Sequence, residues 1–294
     1  MAAKHFVELL ILSALWGASF LFMRVAAPEL GATNLASLRI IIAALTLSPL
    51  LYLTATKFSK QKSIKPFIKP IIFVGIGNSV LPFMLFGYAA MNIDAGLSSI
   101  INGVTPLWGA VFSFIILSVT LSKSAWFGLF VGFAGVVVLS SHKLTHGVNA
   151  EVFAILAVVT ATCLYGISAN YSKRFLQGVP PLLVASSTMA CSAIIMLPVL
   201  LSSSLEWSSV SSNAWLAITC LGVFSTGIAY VLFYRLIENT GPTKAMMVTY
   251  LIPIFGVVFG NVFLDEQLFI NMLFGGLLIL LGVMLTTGLI KPRK

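Results

Sequence analysis

The chain has 294 residues, of which 59% are hydrophobic and only 9% charged. A soluble domain carries about 25% charged residues, and the apolar runs here have the length of about 20 residues that a helix needs to cross a hydrocarbon core, so a soluble fold is excluded. The runs do not alternate in polarity, which excludes a transmembrane β-barrel, and the net charge of +9 requires no nucleic-acid partner because anionic inner-leaflet lipid is enough.

Ten spans are predicted, at 6–26, 34–53, 69–91, 95–118, 124–141, 151–170, 181–202, 213–236, 243–264 and 270–290. Lys4 ahead of the first run and Val25-Ala26-Ala27 behind it look faintly like a cleavable signal. Pro28, the Trp16 and Arg24 inside the run, and nine further spans argue for a retained helix. Within it Trp16, Ser19 and Phe20 share one face at i, i+3 and i+4. Arg24, and Arg39 in the second span, invite a role in binding a substrate carboxylate, since intramembrane charge is expensive. Both lie near the ends of their spans, where long side chains snorkel to the interface, so snorkelling or structural pairing is the expectation. The third span carries Asn78, Pro82 and Tyr88, and the fourth Asn102, Pro106 and Trp108. The fifth has Gly128 and Gly132 at helix-packing distance in sequence. In the sixth, Tyr165 and Ser168 copy part of the Trp16 face, with Asn170 nearby. Tyr230 and Tyr234 follow in the eighth, then Tyr250, Pro253, Gly256, Gly260 and Asn261 in the ninth.

An Asn or Tyr in hydrocarbon needs a partner, either another helix or a wet cavity. The candidate substrate-binding residues are therefore Trp16, Ser19, Phe20, Asn78, Tyr88, Asn102, Tyr165, Ser168, Tyr230 and Tyr250. For each, the competing reading is a helix–helix bond or plain packing. Pro82, Pro106 and Pro253 are predicted to kink their helices. Gly256 and Gly260 form a small-residue face for close helix approach. Glu266 is read as the cap of the tenth span. No Asp or Glu lies mid-span, Glu8 being nearest, which argues against proton-coupled antiport of cationic drugs and favours neutral, zwitterionic or anionic substrates. Cys163, Cys191 and Cys220 read as inert buried thiols. His5, His142 and His146 have no metal-site spacing, and neither a nucleophile elbow nor a phosphate-binding loop occurs. No catalytic residue, cofactor or metal is expected.

With the N-terminus on the cytoplasmic side, 14 of the 17 basic residues fall inside and six of the eight acidic residues outside. Both termini are then cytoplasmic. The chain also repeats itself. Trp16-Gly17 lies over Tyr165-Gly166 at an offset of 149; further on, Gly75, Asn92, Pro106, Gly109 and Gly128 meet Gly222, Asn239, Pro253, Gly256 and Gly275 at 147. Each copy, 1–145 and 146–294, holds five spans. Five is odd, so the second copy enters from the opposite side. The expectation is an all-α polytopic membrane protein of ten transmembrane helices in two inverted-topology five-helix repeats, the logic of a carrier whose site lies between the halves.

Trp16-Gly17, Leu38-Arg39 and the closing series Pro253, Glu266, Gly275 and Gly282 resemble the EamA-type branch of the drug/metabolite transporter superfamily. Where many members carry a second Glu, this chain has Val119. The resemblance implies alternating-access transport of small metabolites, often export of amino acids or related compounds, and an integral protein of the bacterial inner membrane. Its partners would be a small-molecule substrate and the lipid bilayer. Rival readings are a multidrug or nucleobase-type permease and a non-transporting membrane assembly protein.

Overall fold

A computed structural model describes residues 3–144 and 150–289. The expected repeat boundary at 145/146, His146, the last residue of the tenth span and the terminal Lys291, Arg293 and Lys294 lie outside the described residues, as do the side chains of His142 and Lys143. Among the described residues every regular element is helical. Seven helices are long and apolar enough to cross a membrane, and two shorter ones are apolar. Large apolar side chains such as Phe130, Ile194 and Leu277 stand on their outer faces, where hydrocarbon replaces water. The chain is an all-α polytopic membrane protein.

The first element, α1 (Ala3–Ser59), joins the first two predicted spans across one residue, Gly31, at φ 70° and ψ 162°. Only glycine reaches that conformation without a Cβ penalty, so the predicted loop at 27–33 contracts to a sharp break between two arms, 3–30 and 32–59. Next come α2 (Lys65–Asn92), α3 (Ala95–Leu117), α4 (Lys123–Leu144), α5 (Ala150–Phe175), α6 (Pro181–Leu201), α7 (Ser212–Thr240), α8 (Val248–Leu264) and α9 (Ile270–Thr286). A one-turn helix, Pro242–Ala245, precedes α8.

The irregularities recur at constant spacing. α2 widens into a π-helical turn at Ile76–Val80, just before Pro82. Pro82, in the first turn after it, has no N–H to donate. α7 widens in the same way at Val223–Ile228, starting 147 residues later. There Thr226 closes the gap itself, its hydroxyl donating to the Leu221 carbonyl at 2.8 Å. α3 breaks at Gly103-Val104, and Pro106 sits in the first turn of the new piece. Its missing N–H costs nothing there, so Pro106 restarts a helix instead of bending one. Pro253 lies inside α8. Ser118 (φ 54°, ψ 30°) ends α3 and Asp265 (φ 53°, ψ 30°) ends α8, the same left-handed cap 147 residues apart.

Glycines set the closest approaches. Gly128 and Gly135 on α4 face the carbonyls of Gly282 and Gly275 on α9; a methyl group at either α4 position would lie 2.6 or 2.8 Å from that oxygen. Small residues without a stem allow such contact where no hydrophobic force drives helices together.

Candidate functional site

A cavity of about 340 Å3 lies between the two arms of α1 and helices α2, α3 and α5–α8. Trp16, Ser19 and Phe20 reach it from the first arm of α1, spaced so that one helical face presents all three. Asn78 comes from the π-helical turn of α2 and Asn102 from the break in α3. Tyr165, Ser168 and Tyr230 line the wall contributed by α5 and α7. Eight of the ten predicted residues thus share one space. Tyr88 and Tyr250 do not. Tyr88 is half-buried against the core, and the Tyr250 hydroxyl bonds Thr287 on α9 at 3.1 Å. Tyr250 thus makes a helix–helix bond and Tyr88 a packing contact. The neighbour Thr249 takes the position beside the cavity.

Eight aromatic side chains contribute to the walls. Trp16 packs on Phe233 with ring centroids 5.1 Å apart, and Phe86 stands between Phe20 at 5.8 Å and Tyr165 at 6.0 Å. Polar groups are interspersed, ten of the lining residues being Ser, Thr, Asn or Arg. Asn78 donates to the Tyr230 hydroxyl at 3.4 Å. The hydroxyls of Ser168 and Ser225 are buried without a protein partner among the described residues. Such groups in a dry core would cost about 1–3 kcal/mol each.

For Arg39 the expectation is snorkelling or structural pairing. It does not snorkel. Only 7% of it is exposed, and it lines the cavity. Its Nε donates to Thr226 Oγ1 at 3.0 Å, one Nη contacts the Met23 sulfur at 3.5 Å, and the guanidinium carbon lies 3.6 Å above the Phe83 ring. The contact with α7 depends on the widened turn. Methyl groups at Gly222 and Gly227, in and beside that turn, would lie 2.6 Å from Ile42 and Thr46 on the second arm of α1. Their absence lets Thr226 come up to Arg39. Sequence reasoning also missed Thr226 and Ser225. A signal existed: Asn78-Ser79 and Ser225-Thr226 are polar pairs inside apolar runs, 147 residues apart.

Ser172, Met246 and Thr249 line the cavity close in sequence to the basic residues Lys173 and Lys244. Toward the end bearing Glu29, Asp94 and Glu266 the helices close. A methyl group at Gly17 would meet Phe255 at 2.5 Å, and one at Gly256 would meet Ser99 at 2.4 Å. Beyond them Glu266 accepts from the backbone N–H groups of Ala95 at 2.7 Å and Gly96 at 3.0 Å. Glu266 therefore caps α3 and not α9, and the correction follows from proximity: the orphan N–H groups it reaches belong to a helix begun 171 residues earlier. Partial burial raises the Glu266 carboxyl above its ordinary value, with Asp94 acting in the same sense; those two N–H groups and Arg24 oppose the shift. Arg24 is tied to the same end by a 2.8 Å bond to the Ala90 carbonyl. Glu29 accepts from the Ser211 backbone at 2.6 Å and its hydroxyl at 2.7 Å. At the basic end Glu8 pairs with Arg235 at 3.1 Å, outside the cavity. Among the described residues no three His, Cys, Asp or Glu side chains come together to hold a metal.

Comparison with known proteins gives a match to the model of the EamA-like transporter family over residues 6–141 and again over 152–288. The chain is 24% identical over 298 residues to the uncharacterized transporter YoaV of Bacillus subtilis, covering 99% of each. It is 26% identical over 281 residues to an uncharacterized transporter of Archaeoglobus fulgidus, covering 95% of this chain and 97% of that one. The uncharacterized inner membrane transporter YedA of Escherichia coli is 21% identical over 285 residues, covering 96% and 90%. A crystal structure resembles this one with a TM-score of 0.64 at 19% identity over 98% of this chain and 99% of the other, a likeness of fold alone.

Proposed function

The chain belongs to the EamA-like transporter family, and from that premise we propose that it is a secondary carrier in the bacterial inner membrane, exporting amino acids or related small metabolites by alternating access. The observation that carries this reading is the cavity: about 340 Å3, with aromatic and aliphatic walls interspersed with Ser, Thr, Asn and Arg groups, the character of a small-molecule site. Two inverted five-helix repeats, 1–145 and 146–294, are part of the proposal. Matched π-helical turns, matched left-handed caps and the family match to both halves support them. With both termini cytoplasmic, the basic end faces inward. The cavity then opens to the cytoplasm, and the Gly256–Ser99 seam and the Glu266 cap close the outer side.

The test is thermal stabilisation of detergent-purified protein across amino acids, nucleobases and cationic dyes, followed by efflux of any stabilising solute from proteoliposomes. A ligand that binds only the folded form raises the melting temperature. Amino acids are expected to do so, and Trp16→Ala or Asn102→Ala to abolish the shift while the variant still folds. Stabilisation by cationic dyes alone would refute the metabolite reading, since no carboxylate lines the cavity.

A further inference from the structure

We infer that Arg39 is the anchor for an anionic group, a carboxylate, on the transported solute; the inference rests on the carrier reading above and names the chemistry of its cargo. A guanidinium has five N–H donors. Two are engaged here, by Thr226 and Met23, and the remaining three have no acceptor among the described residues. Nor does a carboxylate pair with Arg39 among those residues. A buried charge left without a counter-ion is strongly unfavourable, and in a membrane helix such a group marks a pathway unless it is paired. The phenyl face of Phe83 offsets part of the cost, but an aromatic ring accepts no in-plane hydrogen bonds. The fork therefore faces the cavity with its edge unsatisfied, and a carboxylate matches that edge with two parallel bonds.

The surroundings narrow the cargo further. Arg39 is the only Arg or Lys among the residues lining the cavity, so a single negative charge is neutralised there and a phosphate dianion is not. Trp16, Phe233, Phe86 and Tyr165 offer an apolar body a place to lie. The anchor also has no twin. At the repeat offset of 149 the counterpart of Arg39 is Thr188, which lines the cavity as well. One half of the molecule holds the charge, and the other presents a neutral wall to the same solute. Thr226 acts as a positioning residue, because its acceptor oxygen fixes the plane of the guanidinium.

The experiment compares amino acids, their carboxamides and their decarboxylated amines as stabilising ligands and as efflux substrates of wild type, Arg39→Lys and Arg39→Gln. Acids are expected to bind and amides and amines to bind at least tenfold more weakly. Arg39→Gln should weaken the acids by roughly 10- to 100-fold, the fold-change of one charge-assisted pair, and close the gap between acid and amide. Arg39→Lys keeps the charge without the fork and should fall between; it also serves if Arg39→Gln fails to fold. Equal binding of acid and amide by wild type, or acid binding unchanged in both variants, overturns the anchor and leaves the carrier standing. A wild type that neither binds nor moves any member of the three series overturns both.

Discussion

Adding one methyl group at Gly256 tests how the acidic end is held shut. An ideal Cβ there lies 2.4 Å from both Cβ and Oγ of Ser99 and 3.8 Å from Phe20. The Ser99 Cβ cannot swing aside, so α3 and α8 must separate. Overpacking of this kind costs about 1–3 kcal/mol, and removing a mid-helix glycine returns about 0.5–1 kcal/mol. Gly256→Ala is therefore expected to lose on the order of 1–2 kcal/mol. The control is built into the chain. Gly109 precedes Gly256 by 147 residues, and a Cβ there meets no atom within 4 Å. Gly109→Ala should gain about 0.5–1 kcal/mol and melt above wild type, while Gly256→Ala melts below it. In the membrane, a cysteine placed at the buried Ser98 should react faster with an impermeant maleimide in the Gly256→Ala background than in the parent. Shifts of the same sign in both alanine variants, or unchanged labelling at Ser98, would refute the assignment of this seam as the closed gate.

Glu266 carries a pH signature. Burial raises its carboxyl in the folded protein above the ordinary value of 4.5, so the folded state holds the proton more tightly than the unfolded one. Its contribution is full below 4.5 and declines as the pH rises through the raised value; melting curves across that range should slope downward in wild type and flatten in Glu266→Gln. Thr226→Val strips the acceptor from Arg39 Nε and is expected to cost about 1–3 kcal/mol in a denaturation series, where Thr226→Ser costs less. Tyr88→Phe, outside the cavity, should leave efflux unchanged, whereas Asn78→Ala, which removes the Tyr230 partner, should reduce it at matched expression. Gly282→Val would drive a side chain into Gly132, whose N and Cα lie 2.4 and 2.5 Å from an added Cβ; separation of α4 from α9 should lower the melting temperature by more than any variant above.

Run length and composition were enough to determine that this chain crosses a membrane as helices, because hydrocarbon offers no other partner to the backbone. The 147-residue offset that carries Gly109 onto Gly256 and Asn92 onto Asn239 in the sequence also separates the two π-helical turns and the two left-handed caps. The face of Trp16, Ser19 and Phe20 followed from helical periodicity, which is a local property. What escaped the sequence were contacts made between distant helices. Arg39 reads in the sequence as a snorkelling or structurally paired end residue, because depth along a span is all that can be read there. Its true surroundings are Thr226, 187 residues away in a widened turn, and a ring on α2. Glu266 sits four residues before α9 and still caps α3, since a carboxylate binds the N–H groups nearest in space. Tyr88 and Tyr250 share their residue type with Tyr165 and Tyr230, and which pair faces the cavity depends on helix rotation about its axis. Packing against several neighbours at once sets that rotation, so only the assembled bundle could decide it.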